Sequence, residues 1–373
     1  MKNTFKEKII SDNIYEKRIK YWYFEEKKII NMSIYLPDSK TITTNQLSAI
    51  FNKTTATYKY FWFLGILDFV EKGKNEIYKE DLFLNMIVRA WHPISYFKLN
   101  FGIGDRLGTT IQKIKLDNKI PDLIDQQKLY LFLKQHVSTK EFAFLNKYVP
   151  YKFLTPWFET LPDKEIEELS QNYHKNCPYA LYKHKVVINP RWTNYLTENN
   201  KILKEFCFWN LSTFLQQKNP NIPNVSSKII PEFSRNPLMK QRNEFWKLTF
   251  EETGYINCIF TSKKLFWEEN NFAIDHFIPY SFLAHDLIWN LIPIDKTFNS
   301  SKSNKLPDLN KYFEDFCYLQ KTAFEIYKLK TPNGKYLEEY ATIFHNDNFD
   351  RIKLKETLEP LIMIAHNNGF SIL

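Results

Sequence analysis

The chain has 373 residues, 44% of them hydrophobic and 17% aromatic, with 51 Lys and Arg against 42 Asp and Glu for a formal net charge of +9. That apolar share excludes intrinsic disorder and suffices for one large core or two moderate ones, while the longest apolar run, Tyr60 to Leu67, is far short of the roughly 20 residues that cross a bilayer. The positive balance and a sequence pI near 9.0 favour a polyanionic partner, although abundant Lys, Asn, Ile, Phe and Tyr with only 8 Gly is equally what an A/T-biased genome encodes.

The first forty residues scatter Lys and Glu without an apolar h-region or a small-residue cleavage site, so no secretory signal is expected. Cys177, Cys207, Cys258 and Cys317 never pair at metal-ligand spacing. Together these point to a reducing cytoplasm. Thr54 to Lys72 reads as a buried helix stopped at Gly73. Its run Tyr58-Lys-Tyr-Phe-Trp-Phe suits either a base-stacking surface or core, and core is favoured. Glu80 to Trp91 reads as a second helix ending before His92-Pro93, because the residue before proline is pushed out of the helical region. In Phe101-Gly-Ile-Gly-Asp105, Asp105 suits the N-cap of a helix reaching about Lys115. The Gly-x-Gly could cradle phosphate, but no strand leads into it, and a plain turn is favoured.

Between Tyr179 and Ile188, two apolar runs flank Lys183-His184-Lys185 and predict a hairpin whose basic tip either touches a nucleic-acid backbone or is a solvated turn. His174 and Cys177 have no second pair nearby and are assigned no site. A long aromatic-rich helix is expected from about Thr197 to Gln217, followed by Asn219-Pro-Asn-Ile-Pro-Asn224, the best linker candidate. Lys228, Arg235, Lys240, Arg242 and Lys247 then form a basic cluster. They would grip phosphates or form the wet face of a helix packed through Leu238, Phe245 and Trp246.

The chemistry concentrates between residues 275 and 307. Asp275 and His276 end a short apolar stretch, Phe272-Ala273-Ile274, that suits a β-strand, and adjacent strand residues face opposite ways. The carboxylate can turn to a metal while the imidazole, with an unperturbed pKa near ~6.5, takes a proton from water. That division of labour suits phosphodiester hydrolysis. Asn290 opens a returning strand, Leu291 to Ile294, where its amide can tie the intervening loop to the first strand and fix the His276 ring. Asp295 to Lys302 is polar, lacks proline and can form a short helix bringing Asn299 toward Asp275. An amide oxygen and a carboxylate suit one Mg²⁺ or Mn²⁺ better than Zn²⁺. Lys302, one turn further on a similar face, is assigned to phosphate or transition-state charge.

This pattern resembles the HNH, or ββα-metal, endonuclease superfamily. It is most similar to the HNH domain of CRISPR type II effector nucleases, which also reads Asp-His-x-x-Pro-x-Ser-Phe, a central Asn, a second Asn, then Lys-Ser and Pro. Here those positions are Asp275, His276, Pro279, Ser281, Phe282, Asn290, Asn299, Lys302, Ser303 and Pro307. The resemblance implies His276 as general base, Asp275 and Asn299 as metal ligands and Asn290 as orienter. It covers about a tenth of the chain, and no bridge helix, guide-binding lobe or second nuclease motif accompanies it. Many HNH domains flank this core with two Cys-x-x-Cys pairs, whereas here Thr261 stands where the partner of Cys258 would be. Structural zinc is therefore not expected, and Tyr255, Phe260, Leu265 and Trp267 are expected to pack the hairpin instead.

Beyond the core, Asp308 to Lys328 carries apolar residues at 309, 312, 313, 316, 319, 323, 324 and 327, a helix with one buried face. A last helix, Ile352 to His366, is expected to kink or split at Pro360 and to be capped by Gly369. The expected fold is mainly α with a small α+β module. A helical region, 1–224, would select the target, regulate or bind a partner, and an HNH module, 225–373 with its core at 255–307, would cut. Expected is a metal-dependent DNA endonuclease, in a bacterial defence or restriction effector, with Lys240, Arg242, Lys247, Lys302 and Lys305 on the nucleic acid. Its partners would be duplex or single-stranded DNA, a protein such as a defence-system ATPase, and a second copy of the chain in a homodimer. The alternative is a subunit that binds nucleic acid or a partner without cutting.

Overall fold

Two clusters of buried apolar side chains organise the molecule. One gathers residues between Leu36 and Ile229 together with Ala284, and the other runs from Phe245 to Phe370. The computed structural model describes residues 36–159, 161–229, 237–346 and 348–373. Most of the stretch searched for a signal segment, and Arg235, lie outside the described residues. The architecture is mainly α with a small α+β module.

Helix α1 (Tyr58–Glu71) is buried almost all round, from Tyr60 through Val70 apart from Asp68. The Tyr60-Phe-Trp-Phe run is therefore core, while Tyr58 and Lys59 stay partly open at the helix start. Gly65 permits close packing on the next helix, because a Cβ there would lie 3.1 Å from Leu82 Cδ2. Strand β1 (Glu76–Tyr78) leads into α2 (Lys79–Trp91). The chain does not leave the helical path before Pro93 as expected. It continues as a π-helical turn over His92–Tyr96. That wider turn accommodates Pro93, and the Ser95 hydroxyl donates to the Trp91 carbonyl at 2.6 Å.

Helix α3 (Leu107–Asn118) starts one residue later than expected, with Arg106 at the N-cap. Asp105 still supplies the capping oxygen, accepting from Leu107 N at 2.9 Å. Its other oxygen accepts from Thr57 N at 2.7 Å and Thr57 Oγ1 at 2.6 Å. One buried carboxylate thus organises the starts of two helices. Three helices follow that the sequence pattern does not announce: α4 (Gln126–His136), α5 (Ala143–Phe153) and α6 (Asp163–Gln171). The predicted hairpin is present as β2 (Tyr179–Leu181) and β3 (Lys185–Ile188), and β1 adds to the free edge of β3 to give the antiparallel order β1-β3-β2.

The long aromatic helix is two helices, α7 (Pro190–Glu198) and α8 (Asn200–Lys218), broken at Asn199. The expected linker is a pinned strap. Asn219 is buried, with its amide exchanging bonds of 2.8 Å with both the N–H and the carbonyl of Asn100. Asn224 Nδ2 donates to the Leu283 carbonyl at 2.8 Å, and the buried Lys228 ammonium donates to the Pro223 and Phe282 carbonyls. These bonds tie the strap to the second cluster.

In that cluster a π-helical turn (Gln241–Trp246) runs into α9 (Lys247–Thr253), then a two-residue ladder of β4 (Ile256–Asn257) and β5 (Lys264–Leu265). Strands β6 (Phe272–His276) and β7 (Leu291–Asp295) pair antiparallel, placing His276 opposite Leu291 and Asp275 opposite Ile292. Helix α10 (Lys296–Lys302) follows directly, N-capped by Asp295, whose carboxylate accepts from Thr297 N at 2.7 Å. Behind the hairpin lie α11 (Leu309–Lys330), α12 (Lys335–Phe344) and α13 (Arg351–Asn367). The predicted apolar stripe of α11 is its buried face. Helix α13 runs unbroken through Pro360, which sits on its exposed side where water can take the carbonyl that loses its donor.

Of the side chains expected to replace a zinc site, Leu265 is buried. Trp267 packs on Phe250 and Phe272, each at 5.8 Å between ring centroids, and Phe260 stacks on Phe298 at 5.1 Å and meets Tyr312 edge-on at 4.9 Å. Tyr255 is 39% exposed and contributes least.

Candidate functional site

The β6, β7 and α10 elements converge on Asp275 and His276. Alternation along β6 puts the two side chains on opposite faces, with Asp275 partly open and His276 only 1% exposed. Asn290, fully buried at the mouth of β7, holds the loop that leaves His276. Its Oδ1 accepts from Ile278 N at 2.8 Å, its Nδ2 donates to the Ile278 carbonyl at 2.9 Å, and its own carbonyl accepts from Phe277 N at 2.7 Å. The expectation that Asn290 ties this loop is met, although it acts on the two residues after His276 and not on the ring. Gln320 of α11 braces the hairpin from behind, donating to the Leu291 carbonyl at 2.8 Å and accepting from the Tyr340 hydroxyl.

The ring of His276 is held by a residue that the sequence pattern did not single out. Its Nε2 lies 2.9 Å from Asp286 Oδ1. An ionised carboxylate can only accept, so the proton sits on Nε2 and the Nδ1 lone pair is left free. Among the described residues, Nδ1 is buried and has no hydrogen-bond partner. Tyr280 lies edge-on to the ring at 5.4 Å. Nearby His285 is pushed down to about 4 by burial and then by the His276 imidazole beside it, so it is neutral at physiological pH. Glu339 of α12 accepts from Ile288 N and, through burial, has its carboxyl raised above the usual range. The loop bearing Asp286 is thereby anchored at both ends.

Lys302, at the end of α10 and 1% exposed, donates to Asp275 Oδ2 at 2.8 Å and to the His276 carbonyl at 2.7 Å. Its charge is thus committed to the strand end instead of reaching outward. Asn299, half-buried one helical turn earlier, lies on the same side of α10, which packs on both strands. The available donors fit an oxygen-loving divalent ion: a carboxylate and an amide, with water and phosphate completing the shell. No group of three or more His, Cys, Asp or Glu that could hold an ion by themselves occurs among the described residues.

Residues 258–308 match the family model described as HNH endonuclease. The matched segment begins at Cys258, just after β4, and ends just past Pro307, so it takes in β5, both strands of the hairpin and α10. No curated protein and no solved structure matches the chain. The likeness to a known family lies in this HNH segment. Inside it, Cys258 is buried, its sulfur accepting from Asp295 N at 3.5 Å.

The basic residues expected on nucleic acid part company. Lys240 and Lys305 are exposed, and Lys247 pairs with Glu251 at 3.6 Å along α9. Arg242 lies over the rings of Trp267 and Phe272 at 4.8 and 4.7 Å and donates to Asn270 Oδ1 at 2.8 Å. Among the described residues, no helix is long and apolar enough to cross a membrane.

Proposed function

We propose that this chain is a metal-dependent endonuclease that hydrolyses DNA phosphodiester bonds through its HNH segment, as a bacterial defence or restriction effector. Residues 225–373 would form the cutting module, with a core most similar to the HNH domain of CRISPR type II effector nucleases in its Asp-His-x-x-Pro-x-Ser-Phe spacing, and residues 1–224 would choose the target or restrain the cut. The observation that carries the reading is the His276 imidazole, oriented through Nε2 by Asp286 with Nδ1 left unpartnered.

In this mechanism Nδ1 of His276 takes the proton of the attacking water, and the Asp286 carboxylate stabilises the imidazolium that results. Asn290 keeps the strand end in place while the ring changes charge. Asp275 and Asn299 would hold one Mg²⁺ or Mn²⁺, which when bound supplies charge stabilisation at the phosphate and the leaving oxygen. Lys302 orients Asp275 and neutralises part of its charge. Lys240 and Lys305 attract the DNA backbone. Because Nδ1 is closed to solvent, the side chains that cover it must move for water and phosphate to enter.

That closure also supports a second reading, a subunit that binds nucleic acid or a protein partner without cutting. Incubating the purified chain with plasmid, linear duplex and single-stranded DNA and with Mg²⁺ or Mn²⁺ separates the two. Cleavage that EDTA stops and that His276→Ala lowers by a factor on the order of 10² to 10⁴ is expected. Asn299→Ala should lose cleavage with its melting temperature kept. Cutting that survives both EDTA and His276→Ala would overturn the HNH mechanism, and inactivity on every substrate with intact DNA binding would select the second reading.

A further inference from the structure

The helical region contains an open cleft of about 980 Å³, at the upper end of the size usual for small-ligand sites. Its walls are the segment before α1, the Gly104–Arg106 turn, and α5 with the short helix Thr155–Phe158 that follows it. Four cations line it: Lys53, Lys59, Arg106 and Lys152. Among the described residues, Glu159 is the only carboxylate on the lining. Asp105 lies beneath, but both its oxygens are taken by Thr57 and Leu107 and it is buried. Among the described residues, none of the four cations is in a salt bridge. Lys59 finds only the Ile50 carbonyl, at 3.0 Å. Burial, with Lys152 adding repulsion, pushes its ammonium down to about 8. An unneutralised cation group in a concavity is stabilised by an arriving anion.

The same walls present aromatic faces. The Arg106 guanidinium lies over the Phe144 ring at 4.4 Å, Tyr58 meets Phe144 at 5.9 Å, and Tyr148 is 43% exposed. Gly104 faces the opening, and a Cβ there would meet nothing within 4 Å, so a ligand can approach its backbone closely. Cations for phosphate and flat rings for a base occur here together. We propose that this cleft binds a nucleoside phosphate, with Lys59, Lys152 and Arg106 on the phosphates and the Phe144 and Tyr148 rings against the base. The turn Phe101-Gly-Ile-Gly-Asp105 and the exposed start of the Tyr58 run then serve this second site, 150 residues and more before the HNH segment in sequence. A free nucleotide and the end of a nucleic-acid strand share this chemistry.

The proposal does not rest on the nuclease reading, because its test reads binding in EDTA. Calorimetric titration of the full chain would use ATP, a 5′-phosphorylated dinucleotide, a short oligothymidylate and inorganic tripolyphosphate, at low and at high salt. Saturable nucleotide binding is expected, weakened about tenfold or more by Lys59→Gln and by Arg106→Gln. The exposed substitutions Lys53→Gln and Lys152→Gln, which cannot disturb the core, should weaken it too and flatten its salt dependence. An oligothymidylate that binds more tightly than the nucleotides, with the same sensitivity to substitution, assigns the site to a strand. The reverse order assigns it to a free nucleotide. No saturable binding, binding that all four substitutions leave unchanged, or tripolyphosphate binding as tightly as ATP would overturn the proposal.

Discussion

Both halves of the molecule bury polar side chains, but they use them differently. In the helical region each buried polar group closes one junction: Asp105 joins the starts of α1 and α3, Asn189 caps α7, and Asn200 donates to the Leu67 carbonyl. Asp105 and Asn189 are satisfied locally, Asn200 keeps one buried oxygen without a partner among the described residues, and the space between them is filled by Trp62, Trp91, Trp157 and Trp192. In the HNH segment the polar groups meet one another. Lys302 meets Asp275, Asp286 meets His276, and one ring nitrogen is left over. Polar groups spread over separate junctions specify a fold; titratable ones that converge suit a reaction.

The most severe way to break that contrast is to open the Lys302–Asp275 pair. Asp275→Ala leaves an ammonium buried with only the His276 carbonyl, and should cost about 3–5 kcal/mol in addition to abolishing cleavage. The double variant Asp275→Ala with Lys302→Met should recover much of that stability in urea unfolding, but none of the activity. If the two single costs simply add, the pair is not coupled and the convergence argument fails. Next in size is Asp286→Asn. An amide can present the wrong group to Nε2, so cleavage should fall roughly ten- to a hundredfold with the melting temperature held. Unchanged cleavage would mean that Asp286 only fills the loop. Arg242 gives a smaller effect of another kind. Because its guanidinium lies on Trp267 and Phe272, Arg242→Ala should cost about 1–2 kcal/mol of stability and leave DNA affinity nearly unchanged. Lys240→Gln and Lys305→Gln should do the opposite, each lowering the salt slope of binding by about 1.

The contrast also explains what could be read from the sequence. The contacts of Lys302 with Asp275 and of Asn290 with the loop after His276 were legible because a short hairpin and one short helix convert spacing directly into proximity. Asp286 was not, since it acts across a loop from His276, and a loop has no periodicity. The signal available was a lone carboxylate between His276 and Asn290. Elsewhere, the stripe of α11 and the apolar run of α1 were plain, whereas β1 was hidden: three residues have too little pattern, and their partner β3 lies more than 100 positions away. Helices α4 to α6 carry mixed polar faces that no period made evident. Lys228 was placed in a cluster that would grip phosphates or form the wet face of a helix, because lysine is almost always at the surface, and nothing local announces the carbonyls of Pro223 and Phe282 that it meets.

Lys228 supplies the smallest test, where the two halves join. Burial pushes its ammonium down to about 7 from an ordinary value of 10.5. Below that pH the group is charged in both the folded and the unfolded chain, and the full cost of burying a charge is carried. As pH rises through the folded value, the folded chain sheds the proton while the unfolded chain keeps it. The unfolded state then binds more protons, so stability must increase with pH up to the unfolded value. Between pH 7 and 8 the gain should be about 1 kcal/mol. Lys59, pushed down to about 8, acts with the same sign but mostly above that window. Chemical denaturation of the intact chain at the two pH values should show the rise, and Lys228→Met should remove most of it. A rise of the same size in Lys228→Met would put its origin in another group, such as Lys98, whose ammonium donates to the Gly369 carbonyl and is pushed down by burial.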